Sequence, residues 1–449
     1  MTDATGRSTE LAQRVLEELA GRAEGAVYAR TGTSALTRFA NSFIHQNVSD
    51  DVAALWLTVA KDGRIAQGST TSTSPEAIKA WVDATIATAE SQAPDEDWAG
   101  FTPKTALPEV DHFDEETASA DPSTRAKLVK SFVDAGDGLL GAGMCETEAF
   151  EDAFVNTEGH SANGRWTKVV LDGIHQTGTT AGSGHSSGPA IGGIDALAAG
   201  QEAASRARRG LNAFDAKPDR YEVVLAPEAV ATIGEFLMFY GFNGLFVNQG
   251  MSFVKPGEER FDALVDFYDD VTDDRSIGVG FDAEGTPKEK VVLIDRGVTG
   301  KAIHNRKTGK AADATSTGHA FLPAEGFGGF PVADNLYFGP GERTEDQLIA
   351  NVERGIYVAT FNYCRVLDPK TIVVTGLTRN GTYMIENGAI TGAVTNMRFT
   401  QSFLDALAPG NVGGFSSTGR FANGEFGPAT VNAPSLHLKS WNMTGGADG

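Results

Sequence analysis

Near the start of the chain, Leu11, Val15, Leu16 and Leu19 recur at helical spacing and predict an amphipathic helix. Shorter apolar runs then predict strands over 26–30, 34–40 and 52–60. Asp62-Gly63 joins the last of these to a strand over 64–69, because such a pair tolerates the positive φ angles of a two-residue hairpin turn. Ser74-Pro75-Glu76 supplies an N-cap, a first-turn proline and an acid matched to the helix dipole. The helix it opens buries Ile78, Trp81, Val82 and Ile86. A polar, proline-containing link covers 93–111, and a second helix starts at Asp121-Pro122, with Leu128, Val129, Phe132 and Val133 on its apolar face.

Strand patterns surround Asn156 and cover 166–171. The Gly/Ser/Thr stretch 177–193 reads as a loop too polar to fold by itself, and an alanine-rich helix follows over 194–211. Lys217-Pro218-Asp219 looks like a joint. Beyond it come a strand over 221–226, a helix opened by Pro227-Glu228 that runs to Tyr240, and then mostly short strands and turns. Asn380-Gly381 and Asn387-Gly388 both read as hairpin turns. Thr344 and Gln347 form a capping box for a helix that Gly355 ends. The glycine-rich stretch 409–434 reads as a long loop or lid.

The pattern predicts an α+β protein. An N-terminal α/β region of strands and amphipathic helices covers 1–216, with a further division near 93–118 left open. A mostly antiparallel, barrel-like β domain covers 217–449. The 53 glycines, spread without a period, fit this turn-rich picture. A formal net charge of -22 repels phosphate backbones and argues against nucleic-acid binding. No run approaches the roughly 18 to 20 apolar residues of a membrane span, and no secretory signal is visible at the start. Cys145 and Cys364 are too few for a disulfide framework or a thiolate zinc site, so a reducing cytoplasm is the expected compartment.

Four short motifs carry a family resemblance. Arg38-Phe39-Ala40-Asn41-Ser42-Phe43-Ile44-His45-Gln46 forms an early strand motif, and Phe281-Asp282-Ala283-Glu284-Gly285-Thr286-Pro287 precedes Leu293-Ile294-Asp295-Arg296-Gly297. Ser316-Thr317-Gly318-His319 follows, and Gly381-Thr382-Tyr383-Met384-Ile385-Glu386-Asn387-Gly388 closes the series. In this order the motifs resemble those of the TldD/PmbA family, also described as modulators of DNA gyrase. The resemblance runs nearly end to end. It implies a metallopeptidase built from two kinds of subunit and acting on unfolded or extended peptides. One kind, TldD, carries His-Glu-x-x-x-His on the helix after a strand of the second half, where the histidines bind zinc and the Glu acts as base. The other, PmbA or TldE, lacks the histidines and pairs with the first.

Here the corresponding positions read Gly234, Glu235 and Phe239. Neither Gly nor Phe can bind zinc, so no metal or cofactor is expected in this chain and zinc is expected in a TldD-type partner. Without a metal to serve, Glu235 reads as a solvated helix-face acid or one salt-bridged at a subunit interface. Phe236, Tyr240, Phe242 and Phe246 are the candidates for an interface or channel wall, and His45 and His319 for peptide contact. His45 otherwise reads as a packed strand residue, and His160, His175 and His185 as surface histidines rather than metal ligands. His304 beside the Ser-Thr-Gly motif fits turn chemistry, and Cys364 reads as a small buried apolar residue. The expected function is a non-catalytic PmbA/TldE-like subunit of a heterodimeric zinc peptidase, with a homodimer left open when the partner is absent. The alternative is a stand-alone homodimeric peptide-binding or hydrolytic protein without zinc at the usual site. No nucleic-acid or membrane partner is expected.

Overall fold

Among the described residues, two sheets that share no strand organise the fold, one of six strands and one of eleven. The structure, a computed structural model, describes residues 6–322, 330–427 and 430–446. The first half contains α1 (Arg7–Leu19), β1 (Glu24–Ala40), β2 (Phe43–Lys61), β3 (Arg64–Thr70), α2 (Pro75–Ser91), α3 (Glu115–Ala118) and α4 (Pro122–Asp134). It continues with β4 (Leu140–Asn156), β5 (Ser161–Gln176), β6 (Ala181–Gly188) and α5 (Ala196–Arg209). The strands pair antiparallel in the order β3-β2-β1-β4-β5-β6, so one sheet runs across both sides of the 93–111 link. The Asp62-Gly63 turn has φ of 50° and 74°, and the Ser74 side chain accepts a hydrogen bond from the Ala77 amide, as their sequences require.

Alternation along the strands divides the sheet into two faces. Val27, Leu55, Leu57 and Val59 meet Leu11, Val15, Ile78 and Val82 of α1 and α2, while Phe39, Cys145 and Leu171 meet Phe132 and Ala199 of α4 and α5. The opposite face presents Tyr28, Phe150, Phe154 and Trp166 to Val279 and Phe281 of the second half.

One polar stretch breaks the sequence expectation. Residues 177–193 are not all loop: β6 lies within them, paired along β5, and a 3-10 turn covers Ile191–Gly193. The strand gains its stability from α5, which packs directly on its backbone. A Cβ at Gly184 would stand 1.9 Å from the Ala199 carbonyl oxygen, so the lack of side chains is what allows the contact.

The second half contains β7 (Asp219–Leu225), α6 (Pro227–Phe236), a π-helical turn at Leu237–Gly241, α7 (Gly244–Asn248), β8 (Phe267–Asp269), β9 (Val291–Asp295), β10 (Val298–Thr299) and α8 (Arg306–Ala311). Then come β11 (Leu336–Phe338), α9 (Glu345–Ala350), β12 (Arg354–Asp368), β13 (Val373–Glu386), β14 (Ala389–Ala393), β15 (Met397–Ser402), α10 (Phe403–Ala406), β16 (Val412–Ala422) and β17 (Val431–Gly446). The sheet order is β10-β9-β8-β11-β17-β15-β13-β12-β7, and β7 pairs back onto β17. This closes β7, β12, β13, β15 and β17 into a ring, so the sheet is barrel-like and mostly antiparallel, with β7–β12 and β11–β17 parallel. Trp441, Phe361 and Phe399 pack together within its core.

Here too some local expectations are corrected. Most of 409–434 is strand, because Val412, Phe415, Phe421 and Val431 are buried and β16 pairs along β17. Asn387-Gly388 makes the β13–β14 hairpin, but Asn380-Gly381 lies inside β13, where the register against β12 shifts. Positive φ there serves a bulge rather than a turn. The Thr344–Gln347 capping box is present, yet its helix stops at Ala350 and Gly355 belongs to β12. Among the described residues no helix is long and apolar enough to cross a membrane.

Candidate functional site at the buried helix α6

Pro227 stands in the first turn of α6, where its missing N–H costs nothing, and every residue of the helix is buried. Such a helix belongs inside a core, and α6 sits among the side chains of the barrel strands. The π turn follows directly: the Phe242 amide donates to the Leu237 carbonyl, five residues back, at 2.9 Å. On a regular α-helix, residues five apart are rotated by about 140°. A widened turn lessens that rotation, which is what two ligands at 234 and 239 would require. The π turn begins only at Leu237, and neither 234 nor 239 carries a histidine.

Nor is there room for the first of them. A Cβ at Gly234 would meet Phe338 Cε2 at 2.9 Å and Val431 Cγ1 at 3.2 Å. Phe239 is half-buried among aromatic rings. Among the described residues, no group of three or more His, Cys, Asp or Glu is placed to hold a metal ion. The donor set does not fit zinc.

Glu235 is not solvated, and among the described residues no cation pairs with it, contrary to the sequence expectation. It is 1% exposed. Its Oε2 accepts a hydrogen bond from the Phe426 amide at 3.0 Å and its Oε1 one from the Thr430 hydroxyl at 3.2 Å. The backbone after β16 presses onto the carboxyl group so closely that a Cβ at Gly424 would stand 2.3 Å from it. Burial pushes the carboxyl up to about 8, against the two hydrogen bonds, which favour ionisation. At neutral pH the side chain is mostly a neutral acid pinning this segment to α6.

The aromatic candidates separate into two groups. Phe426 stacks on Phe236 at 5.2 Å and meets Phe239 at 5.7 Å; Phe246 lies 5.9 Å from Phe239 and 5.6 Å from Tyr240. Phe239, Tyr240 and Phe246 are half-buried, and Phe426 is 49% exposed, so this cluster reaches the surface. Phe242 points elsewhere, into the core against Phe253 and Phe267, and Phe236 is itself sealed.

An ion-pair network at the start of α6 escaped the sequence reading. Glu228, fully buried, lies 2.6 Å from Arg420 Nη2 and 3.6 Å from Arg206 Nη2. Glu202 joins both arginines at 2.9 and 2.7 Å, so α5, α6 and β16 are tied together. Burial opposes ionisation of Glu228, but Arg420 and Arg206 outweigh it and hold the carboxyl well below its ordinary range. Asn423, just past β16, hydrogen-bonds His185 Nδ1, which also contacts Asp172 Oδ1 at 2.7 Å. The one available signal was an acid, Glu228, in the first turn of a mostly apolar helix.

The histidines are placed differently from expectation. His160, His175 and His185 are buried rather than superficial: His160 Nε2 bonds the Gly285 carbonyl and His175 Nε2 that of Phe132. His45 is exposed on β2 rather than packed. His319 is 1% exposed, with Nδ1 on Thr317 and Nε2 on Asp269, which leaves neither ring nitrogen for a peptide. His304 Nδ1 meets the Thr308 hydroxyl at 3.2 Å in the turn that opens α8. Cys145 and Cys364 are free and buried; burial pushes the Cys145 thiol up to about 12 and raises Cys364 also, so neither is a ready nucleophile.

The backbone is similar to TldE from Thermococcus kodakarensis, with a TM-score of 0.86 at 16% identity over 97% of this chain and 99% of that one. It is also similar to a putative modulator of DNA gyrase from Thermotoga maritima, with a TM-score of 0.83 at 17% identity over 97% and 100%. A family model described as the PmbA/TldA metallopeptidase C-terminal domain matches residues 218–445, and the chain belongs to that PmbA/TldD metallopeptidase family. In sequence it is 26% identical to a metalloprotease of Methanothermobacter thermautotrophicus over 294 residues, 63% of each chain. A metalloprotease TldD homolog of Buchnera aphidicola is 26% identical over 212 residues, 46% of this chain and 43% of that one. The match thus spans less than two thirds of either relative's length.

Proposed function

We propose that this chain is the metal-free subunit of a two-subunit zinc peptidase, completed by a homologous TldD-type chain that carries His-Glu-x-x-x-His. The observation that carries the reading is the state of α6. Its ligand positions are Gly234, with no space for a side chain, and Phe239, while the acid between them holds a neighbouring backbone segment. A general base needs a bound water to act on, and Glu235 faces protein donors instead. Likeness to a TldE fold supports the same assignment.

In this reading the chain contributes walls rather than chemistry. The half-buried rings of Phe239, Tyr240, Phe246 and the more open Phe426 form an apolar surface suited to a homologous subunit or to the channel between the two. Extended peptides are the substrate, and the cytoplasm is the compartment. The test is reconstitution. This chain, a TldD-type homologue from the same source and their equimolar mixture are each incubated with unfolded casein. Cleavage by the mixture alone is expected; cleavage by this chain alone would favour the stand-alone hydrolase.

A further inference from the structure

Where the outer face of the first sheet meets the second half, a cavity of about 80 Å³ opens among aromatic rings. Tyr28, Trp56, Trp98, Phe101, Phe154 and Phe321 line it. The rings are set at angles to one another: Tyr28 and Trp56 stand edge-to-face at 6.0 Å, and Trp98 and Phe101 at 5.1 Å. The charged side chains that line it among the described residues are Glu284 and Arg306. Arg306 is committed elsewhere, its Nε donating to the Gly100 carbonyl and its Nη2 to that of Ala99.

Glu284 lines the cavity and uses one of its two carboxyl oxygens in the fold. Its Oε2 accepts from the Arg306 amide at 2.8 Å, while Oε1 accepts no hydrogen bond from the described residues. Its backbone is fixed on both sides: the Thr102 hydroxyl donates to the Glu284 carbonyl, and Asp282 Oδ1 accepts from the Glu284 amide. Burial, together with the nearby charge of Asp282, pushes the carboxyl up to about 8, against the Arg306 amide and charge.

Ring faces attract a cation through their quadrupoles, and a carboxylate oxygen needs an N–H donor. We propose that this cavity is a binding site for an alkylammonium group, with the ammonium donating to Glu284 Oε1 and the aliphatic stem lying against the rings. The group can come from the lysine side chain of an extended peptide or from a free primary amine. The site is independent of zinc and of any partner subunit.

Titration calorimetry of the full chain at pH 9 tests this, with n-butylammonium chloride as probe and n-butanol as its neutral counterpart. Saturable binding of the ammonium and none of the alcohol is expected, with affinity about tenfold weaker at pH 6.5, where a proton holds the carboxylate. Glu284→Gln keeps a carbonyl for the Arg306 amide; it is expected to weaken binding at least tenfold and to abolish the pH effect. Trp98→Leu, on a surface loop, is expected to weaken binding while leaving Glu284 intact. A second arm uses a blocked Gly-Gly-Lys-Gly-Gly peptide. Tighter binding than n-butylammonium assigns the site to peptide side chains, and weaker binding to free amines. Equal binding of n-butanol, unchanged binding by Glu284→Gln, or no binding of either amine would overturn the proposal.

Discussion

Replacing Glu235 with Gln is expected to remove most of a downward slope in stability between about pH 5 and pH 8. In the folded chain the carboxyl lies near 8, against an ordinary 4.5, because it is buried. Its stabilising contribution is therefore fully present below pH 4.5, where both states hold the proton. It is lost as pH rises toward 8, because the unfolded chain releases that proton first. A displacement of this size corresponds to about 4 kcal/mol across the window. In Glu235→Gln the amide oxygen would still accept from the Phe426 amide, the NH2 would donate to the Thr430 hydroxyl oxygen, and the side chain would not titrate. Urea denaturation at half-unit pH steps measures the difference: the stability of the variant relative to the natural chain should climb from pH 5 and level off above 8. A constant difference would mean that Glu235 is charged throughout.

Replacing Glu228 with Ala is expected to cost about 3 kcal/mol, since removing one member of a buried charge network leaves its partners uncompensated. Arg206 is 5% exposed and cannot turn to water, and Arg420 would keep only Glu202. The loss should be smaller when Arg206→Met accompanies Glu228→Leu, because both ends of one pair then leave together. A double variant as unstable as the sum of the two singles would show that Glu228 and Arg206 act independently. Because the network joins α5, α6 and β16, amide exchange should quicken in all three elements of the Ala variant rather than in α6 alone.

Much of the architecture was legible because periodicity survives wherever an element buries one face. The α1 stripe, the Ser74 cap, the Thr344–Gln347 box and the Asn387-Gly388 hairpin are all local signals with local causes. β6 was illegible for the opposite reason: its glycines are selected by the close approach of α5, a tertiary contact with no apolar signature. The Asn380-Gly381 pair shows the same limit, since a bulge and a hairpin turn ask for similar positive φ angles. At the candidate site the missing histidines at 234 and 239 could be read directly. The role of Glu235 could not, because its donors, Phe426 and Thr430, lie 191 and 195 residues away. Three histidines read as superficial are buried by packing against α4, the 282–286 turn and the segment after β16, contacts that only the folded chain brings together.

Zinc content, measured by elemental analysis on the dialysed chain alone and on the assembled pair, tests the central claim most directly. The predicted result is a ratio near zero for this chain and near one per pair, with the metal retained by the TldD-type homologue on separation. A ratio near one in this chain alone would contradict the account, because neither α6 nor any described group of side chains offers a place for that ion.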